Sequence, residues 1–135
     1  LKKIDTSINF KINNKTGKKV MLNFDNEQFN RLFFNLIKNS IESIKEKVKK
    51  TNETLKNIDI EINQRRDYIT INIIDTGEGF KDKKTKDIIK PYYTTKQKGT
   101  GLGLSIVDKI INDHNGSIKF LNTNNGAKVQ IIIPK

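Results

Sequence analysis

The chain has 135 residues, a length typical of one domain with its own core, and carries 26 Lys and Arg against 15 Asp and Glu, a formal net charge of +11. It contains no cysteine and one histidine, which excludes disulfides, thiolate metal sites, cysteine nucleophiles and multi-histidine metal centres. No apolar run reaches the roughly 20 residues that span a bilayer, and the first residues lack the apolar stretch of a signal peptide.

The first part of the chain predicts two short strands and one long helix. Apolar residues alternate over residues 4–12 as in a strand, and VMLNF at 20–24 predicts a second strand. Asp25 is followed three residues later by Gln28, which has the form of a capping box. A helix is therefore expected to begin after Asp25 and to run to about Lys50.

This helix carries two different stripes of side chains. The expected core face consists of apolar residues at helical spacing, namely Phe33, Ile37, Ile41, Ile44 and Val48, with Leu32 and Leu36 bordering the other stripe. Asn35, Asn39 and Glu42 form a polar stripe on roughly the opposite side. The two asparagines lie in the most apolar part of the helix, where an amide needs a partner, and neutral oxygen ligands suit Mg²⁺. The alternative is that they are surface residues of an Asn-rich protein.

The remaining regular elements are predicted from alternation and from helical spacing. They are an antiparallel strand pair at residues 58–64 and 68–75, a helix at 104–114 that ends at Asn115-Gly116, and a closing hairpin of strands at 117–121 and 127–134. The stretch 77–103 has little periodicity, and a long irregular segment inside a domain is usually functional or disordered.

Glycine-rich motifs stand at both ends of this irregular stretch. In DTGEGF, residues 75–80, Asp75 follows a strand and can accept a hydrogen bond from an exocyclic amine, while Gly77 and Gly79 let a flat ring approach. A plain turn is the alternative. GTGLGLS, residues 99–105, opens a helix, whose free N–H groups and positive dipole end can bind phosphate. It is not a Walker loop, because G-x-x-x-x-G-K-[ST] does not occur.

The order of the motifs is more specific than any one of them. NLIKNSIES on a helix, D-x-G-x-G after a strand, PYYTTK, and G-x-G-x-G opening a helix together resemble the ATP-binding domain of sensor histidine kinases. That domain belongs to the superfamily of gyrase, Hsp90, histidine kinases and MutL. The resemblance runs from Ile4 to the last strand, and the sequences of the motifs look most like those of the nitrogen-regulation class of sensor kinases.

The resemblance implies an α+β fold, a two-layer α/β sandwich known as the Bergerat ATP-binding fold. Its mixed, mostly antiparallel sheet has about five strands, and about three helices cover one face. Residues 1–135 would form one such domain with a mobile ATP lid at about 77–103. The dimerisation and phosphoacceptor domain is absent from this chain.

The resemblance also implies roles for individual residues. Asn39 would be the principal Mg²⁺ ligand and Asn35 its partner toward the phosphates, and Asn35, Asn39 and Lys96 are the implied catalytic residues. Gyrase-like and Hsp90-like ATPases carry a water-activating glutamate at the place of Asn35, so this chain looks like a kinase module rather than an ATPase. The implied nucleotide-binding positions are Asn35, Asn39, Asp75, Gly77, Gly79, Tyr92, Thr95, Lys96, Gly99, Thr100, Gly101, Leu102, Gly103 and Leu104.

Three positions depart from the simplest form of the family pattern or need separate mention. Tyr92 stands where the family usually has Phe, and Glu42 where some other kinase subclasses carry a basic residue near phosphate. His114 lies where the family often has His-Gly-Gly after the last helix, so we expect a structural role for it and not that of phosphoacceptor.

The implied cofactors are ATP and Mg²⁺, and the implied partners are an upstream phosphoacceptor histidine domain and a response regulator. A homodimer is expected for the whole protein. The fragment is expected to be monomeric, cytoplasmic, without efficient autophosphorylation and without specific nucleic-acid binding, and membrane anchoring of the parent is left open.

Other functions stay as alternatives. One is a basic, non-catalytic nucleic-acid-binding domain, whose binding would weaken steeply with salt and ignore Mg²⁺. Lysine spread through nearly every segment favours a solvated surface instead, although residues 81–98 hold seven lysines against two aspartates. The others are a serine kinase or anti-sigma factor of the same superfamily, or a degenerate domain that binds nucleotide weakly.

Overall fold

The computed structural model describes residues 8–17, 19–20, 24–52, 55–80 and 103–135. These residues form five strands and two helices. In chain order they are β1 (Asn9–Asn14), α1 (Asn26–Thr51), β2 (Asn57–Gln64), β3 (Tyr68–Asp75), α2 (Gly103–Asp113), β4 (Ser117–Asn122) and β5 (Ala127–Pro134).

All five strands belong to one sheet with the order β1-β2-β3-β5-β4. β1 runs parallel to β2, and the other three pairs are antiparallel. The parallel pair needs a crossover connection, and α1 lies in that connection. The predicted mixed, mostly antiparallel sheet of about five strands is therefore confirmed.

The two strand pairs predicted near the middle and the end of the chain agree closely with the structure. The strand predicted at 4–12 is observed at Asn9–Asn14, and residues 4–7 lie outside the described part. The strand predicted at 20–24 cannot be compared in full, because residues 21–23 are also outside it. Val20 and Phe24, on either side of that gap, pack against the core.

The core lies between one face of the sheet and the two helices. Ile69, Ile71 and Ile73 of β3 are buried in strict alternation, and β5 presents Val129, Ile131 and Ile133 to the same core. Asp75 continues the buried positions of β3. Because side chains alternate along a strand, Asp75 points to the side of the sheet that the helices cover.

The helix α1 begins as predicted. The Asp25 side chain accepts a hydrogen bond from the Gln28 backbone N–H at 3.0 Å, and Asn52 closes the other end in the left-handed conformation with φ 57°. The Asp25 N–H lies 3.4 Å from His114 Nε2, so this donor is directed at a histidine from the end of α2 rather than at the Gln28 side chain.

The buried face of α1 differs from the one predicted. Its centre consists of residues spaced by four, namely Leu32, Leu36, Ser40 and Ile44. Phe33, Ile37, Ile41 and Val48, which were expected to form that centre, are partly buried at its margin. The expected core face did not include Leu32 and Leu36, which were placed at the border of the polar stripe. The helix also packs against α2 in the same core cluster, which widens the buried face and turns it toward Leu32 and Leu36.

The end of α2 is a Schellman motif. Gly116 N–H donates to Ile111 O at 2.9 Å, Asn115 N–H donates to Asn112 O at 3.0 Å, and Asn115 has φ 59°. The predicted stop at Asn115-Gly116 is therefore confirmed. The described residues contain two helices against about three predicted, and neither has the length and apolar character that crossing a membrane requires.

Candidate nucleotide-binding site

Asp75 is a buried carboxylate with several hydrogen-bond donors around it. It is 5% exposed, and its Oδ1 accepts from the backbone N–H of Gly77 at 2.8 Å. The Ser40 hydroxyl from α1 and the Ala127 backbone N–H from β5 also donate to it. Burial raises the pKa of the Asp75 carboxyl above its usual value, while these donors and the charge of Lys47 oppose that rise.

The loop after Asp75 is held by side chains of α1 and β4 and by its own Thr76. Ser43 Oγ of α1 accepts from the Glu78 N–H at 2.8 Å, and Asn122 Oδ1 of β4 accepts from the Phe80 N–H at 2.7 Å. Thr76 Oγ1 accepts from the Asn57 N–H at 3.0 Å and donates to Leu55 O at 2.9 Å. The segment DTGEGF is therefore a fixed structure with its carboxylate in a defined position, and not an unsupported turn.

Glycine is required in this loop by close packing. A Cβ on Gly77 would stand 2.7 Å from the Ser43 Cβ, and Gly79 has φ +79° with Asn122 Oδ1 2.7 Å from its Cβ position. Gly126, from the β4–β5 turn, packs against the other side of the loop. A Cβ there would stand 2.8 Å from Gly77 N and 2.9 Å from Thr76 Cα.

Asn35, which belongs to the predicted polar stripe of α1, lies beside the start of α2. Asn35 and Asn39 are half-buried, and Asn35 Oδ1 is 3.6 Å from the position that a Cβ on Gly103 would occupy. Gly103 is the first residue of α2, where backbone N–H groups have no partner within the helix. The Asn35 amide and the anion-attracting end of α2 therefore meet in one place.

α1 connects these two regions. Ser40, which donates to Asp75, is five residues beyond Asn35, about 7.5 Å along the helix axis at about 1.5 Å per residue. Along the axis of α1, one end of this stretch lies beside an acceptor for an N–H donor, and the other lies beside a helix start that favours an anion. A ligand with an amino group and a phosphate matches both ends.

The asparagine pair has the chemistry of a partial Mg²⁺ site. Within the described ranges, no group of three or more His, Cys, Asp or Glu could hold a metal ion by itself. Asn35 and Asn39 offer neutral amide oxygens one helical turn apart. Such oxygens leave Mg²⁺ dependent on water and ligand phosphates for the rest of its octahedron, as nucleotide-bound Mg²⁺ commonly is.

Half of the predicted site residues cannot be placed. Tyr92, Thr95, Lys96, Gly99, Thr100, Gly101 and Leu102 lie outside the described residues, as does most of the predicted lid at 77–103. Gly103 and Leu104 open α2. The Leu104 side chain packs against the core, so a nucleotide contact at this position would come from its backbone.

Five residues around the Asp75 loop were not predicted from the sequence, namely Ser40, Ser43, Thr76, Asn122 and Gly126. A signal existed for Ser40, which stands four residues from both Leu36 and Ile44 and so shares their face. Asn122 and Gly126 resemble ordinary residues of a hairpin turn, and only the three-dimensional approach of that turn to Gly77 reveals their role.

His114 has the structural role that was expected. Its ring stacks on Phe24 with centroids 3.5 Å apart and an interplanar angle of 4°. Nδ1 lies 2.8 Å from Ile110 O, which can only accept, and Nε2 faces the Asp25 N–H, which can only donate. Both ring nitrogens are therefore engaged within the domain.

Comparisons with known proteins identify the family of this chain. The model of the family "Histidine kinase-, DNA gyrase B-, and HSP90-like ATPase" matches residues 24–135. Sporulation kinase C of Bacillus subtilis (strain 168) is 36% identical over 115 residues, which is 84% of this chain and 25% of that protein. The nitrogen regulation protein NtrY of Azorhizobium caulinodans is 36% identical over 96 residues, 71% of this chain and 12% of that protein.

A solved structure extends the similarity to three dimensions. The catalytic domain of histidine kinase ThkA superposes with a TM-score of 0.80 at 29% identity, covering 96% of this chain and 81% of that chain. The chain spans a quarter or less of the length of these two curated kinases. The chain therefore belongs to the histidine kinase-, DNA gyrase B- and HSP90-like ATPase family.

Proposed function

We propose that this domain binds ATP together with Mg²⁺ and presents the γ-phosphoryl group to a histidine on an upstream helical domain of the same protein, for relay to a response regulator. The observation that carries the proposal is the arrangement along α1. The buried acceptor Asp75 lies at one end, and Asn35 beside the first turn of α2 lies at the other.

Adenine is assigned to the Asp75 end. An ionised carboxylate can only accept hydrogen bonds, so it favours the exocyclic amine of adenine over the carbonyl that guanine carries at the same ring position. Gly77 and Gly79 add no side chains to this part of the surface. A site built around one hydrogen bond rejects a ligand that lacks the matching group, because a buried polar atom is then left unpaired.

The phosphates are assigned to the Asn35 end. The first N–H groups of α2 and the dipole of that helix favour negative charge, and Asn39 and Asn35 would hold Mg²⁺ through their amide oxygens. Bound there with the nucleotide, Mg²⁺ would offset phosphate charge. Lys96 is proposed as a further phosphate contact from the sequence resemblance alone.

The kinase assignment also rests on what Asn35 cannot do. A neutral amide does not take a proton from water, so this position cannot serve as the general base that a glutamate provides in gyrase-like and Hsp90-like ATPases. The domain would then hold ATP until an acceptor histidine arrives. Transfer would depend on positioning and on charge stabilisation, as phosphoryl transfer generally does.

The same proposal covers the whole protein. The upstream histidine domain and the response regulator are the proposed partners, the parent is proposed to be a homodimer and the isolated domain a monomer. The domain would act in the cytoplasm, where ATP is available.

The experiment is a calorimetric titration of the domain with ADP, GDP and a non-hydrolysable ATP analogue, with and without Mg²⁺ and in raised salt. We expect saturable, adenine-selective binding that Mg²⁺ strengthens. Asp75→Asn should weaken ADP binding by roughly 10- to 100-fold and reduce the preference over GDP, because one charged acceptor is lost. Binding of nucleic acid alone, abolished by salt, would contradict the proposal and support the basic-surface alternative.

A further inference from the structure

The buried polar side chains of the described residues form one group. They are Ser40, Asp75 and Thr76, which are 3%, 5% and 9% exposed. Ser40 is the only member on a helix, and it lies in the stripe of α1 formed otherwise by Leu32, Leu36 and Ile44. A hydroxyl in such a stripe costs free energy unless it has a partner. Its partner is the Asp75 carboxylate, to which it donates.

A second serine of α1 acts on the same loop. Ser43 is three residues beyond Ser40 and therefore on the same side of the helix. Its Oγ accepts from the Glu78 N–H at 2.8 Å and lies against Gly77. The two serines thus hold the loop at two points, Ser40 at the carboxylate and Ser43 at the backbone beyond it. This fixes the distance between α1 and the Asp75 side chain.

The hydrogen-bond donors to Asp75 differ in whether a substitution can remove them. Gly77 and Ala127 donate through backbone N–H groups, which persist when their side chains change, whereas Ser40 donates through its side chain. An ionised carboxylate has about four lone-pair positions. The three donors that the described residues supply leave about one position for a ligand, which matches a single N–H of an amino group.

We propose that Ser40 is a positioning residue for adenine recognition: its hydroxyl orients the Asp75 carboxylate, so that one acceptor position is left for the exocyclic amine. This inference rests on the proposed function of the domain. It assigns a role in nucleotide selectivity to a residue that does not itself contact the nucleotide.

The surrounding charges do not replace the hydroxyl. Lys47 of α1 is the cation that acts on Asp75, and its amine donates to Asn125 O at 2.7 Å. Glu78, the nearest acidic residue of the loop, is paired with Lys50 at 3.0 Å. Burial is the largest of the influences on the pKa of Asp75, and it favours the protonated acid. The loss of one hydrogen-bond donor therefore raises this pKa further.

The test compares Ser40→Ala and Ser40→Cys with the control Ser117→Ala. Cysteine nearly preserves the volume of the buried serine but is a weak donor. Ser117 is an exposed serine at the start of β4. Two quantities are measured: the NMR titration of the Asp75 carboxyl carbon without nucleotide, and calorimetric ADP affinity as a function of pH.

We expect Ser40→Ala to move the Asp75 titration to higher pH and to weaken ADP binding roughly fivefold to tenfold at neutral pH. The loss should grow as the pH falls, because protonation removes the acceptor. Ser40→Cys should fall between Ser40→Ala and the wild type. Ser117→Ala should match the wild type in both measurements. If Ser40→Ala does not fold, Ser40→Cys supplies the same two readouts.

The outcomes separate this inference from the proposed function. A Ser40 variant that folds, binds ADP like the wild type at every pH and titrates at the wild-type position overturns the inference alone. A wild-type domain that binds no ADP overturns the proposed function, and with it the adenine part of the inference. Equal weakening at all pH values with an unmoved titration would show that Ser40 only supports packing, which also overturns it.

Discussion

At the scale of single residues, Asp75 occupies a position that disfavours its charge. It continues the row of buried isoleucines on β3, and burial raises the pKa of its carboxyl. A D-x-G-x-G motif after a strand was enough to predict where this carboxylate stands. Its donors Ser40 and Ala127 could not be predicted in the same way, because they come from α1 and β5 and meet Asp75 only in the folded domain.

The raised pKa of Asp75 predicts how stability depends on pH. Between the usual aspartate pKa and the raised one, the folded protein binds more protons than the unfolded protein, so the Asp75 contribution to stability falls as the pH rises through the folded pKa. It is fully present below the unfolded pKa. Urea unfolding of wild type and Asp75→Asn should therefore show a free-energy difference that favours the wild type increasingly as the pH falls. A difference independent of pH would contradict this prediction.

At the scale of elements, the site depends on contacts between loops and helix ends. The DTGEGF loop is clamped between α1 and the β4–β5 turn, where Gly126 meets Gly77 and Thr76. The start of α1 is joined to the end of α2 by His114, which contacts both Phe24 and the Asp25 N–H. Caps and turns were predictable because they are local in sequence. The orientation of α1 was not, because its periodicity does not reveal that α2 also packs on it.

Gly126→Ala should damage the loop from outside the nucleotide site. Its Cβ would stand 2.8 Å from Gly77 N, so either the turn or the Asp75 loop must move. We expect a loss of about 1–3 kcal/mol in the free energy of unfolding and weaker ADP binding. Gly17→Ala is the control, because Gly17 has a φ of +65° but a Cβ added to it would meet no atom within 4 Å. It should cost about 1 kcal/mol and leave ADP binding unchanged, and equal ADP binding in both variants would refute the prediction.

His114→Ala should affect stability and not chemistry. The variant loses the stack on Phe24 and leaves the Asp25 N–H without its acceptor. We expect a loss of about 1–2 kcal/mol and faster hydrogen exchange at the start of α1, while His114→Phe restores the stack alone. ADP affinity should stay close to that of the wild type. If the full-length kinase with His114→Ala folded stably but did not transfer the phosphoryl group, this histidine would instead be a participant in the reaction.

At the scale of the whole molecule, α1 is the element on which the site is assembled. It carries Asn35 toward α2, and Ser40 and Ser43 toward the Asp75 loop. The order of the motifs predicted that Asn35, Asp75 and the start of α2 belong to one site, but it gave no role to the two serines. The contribution of residues 81–102 to nucleotide binding, including that of Lys96, stays a prediction from sequence.

Asn39→Ala tests whether the binding of ADP depends on Mg²⁺ through α1. In the wild type, Mg²⁺ should increase ADP affinity, and Asn39→Ala should remove most of that increase while leaving affinity without Mg²⁺ within about twofold. Asn30→Ala is a matched control, because Asn30 is an exposed asparagine of the same helix. A Mg²⁺ effect that is equal in both variants would remove Asn39 from the metal site.

The most direct test of the arrangement along α1 is an NMR titration of backbone amides with adenosine and, separately, with ADP and Mg²⁺. Adenosine should shift the amides of the Asp75 loop, Gly77 above all, and leave Gly103 nearly unchanged. ADP with Mg²⁺ should shift both regions, because only ADP brings phosphates to the start of α2. Shifts confined to exposed lysine-rich surfaces, or absent at both Gly77 and Gly103, would contradict the placement of the nucleotide on this domain.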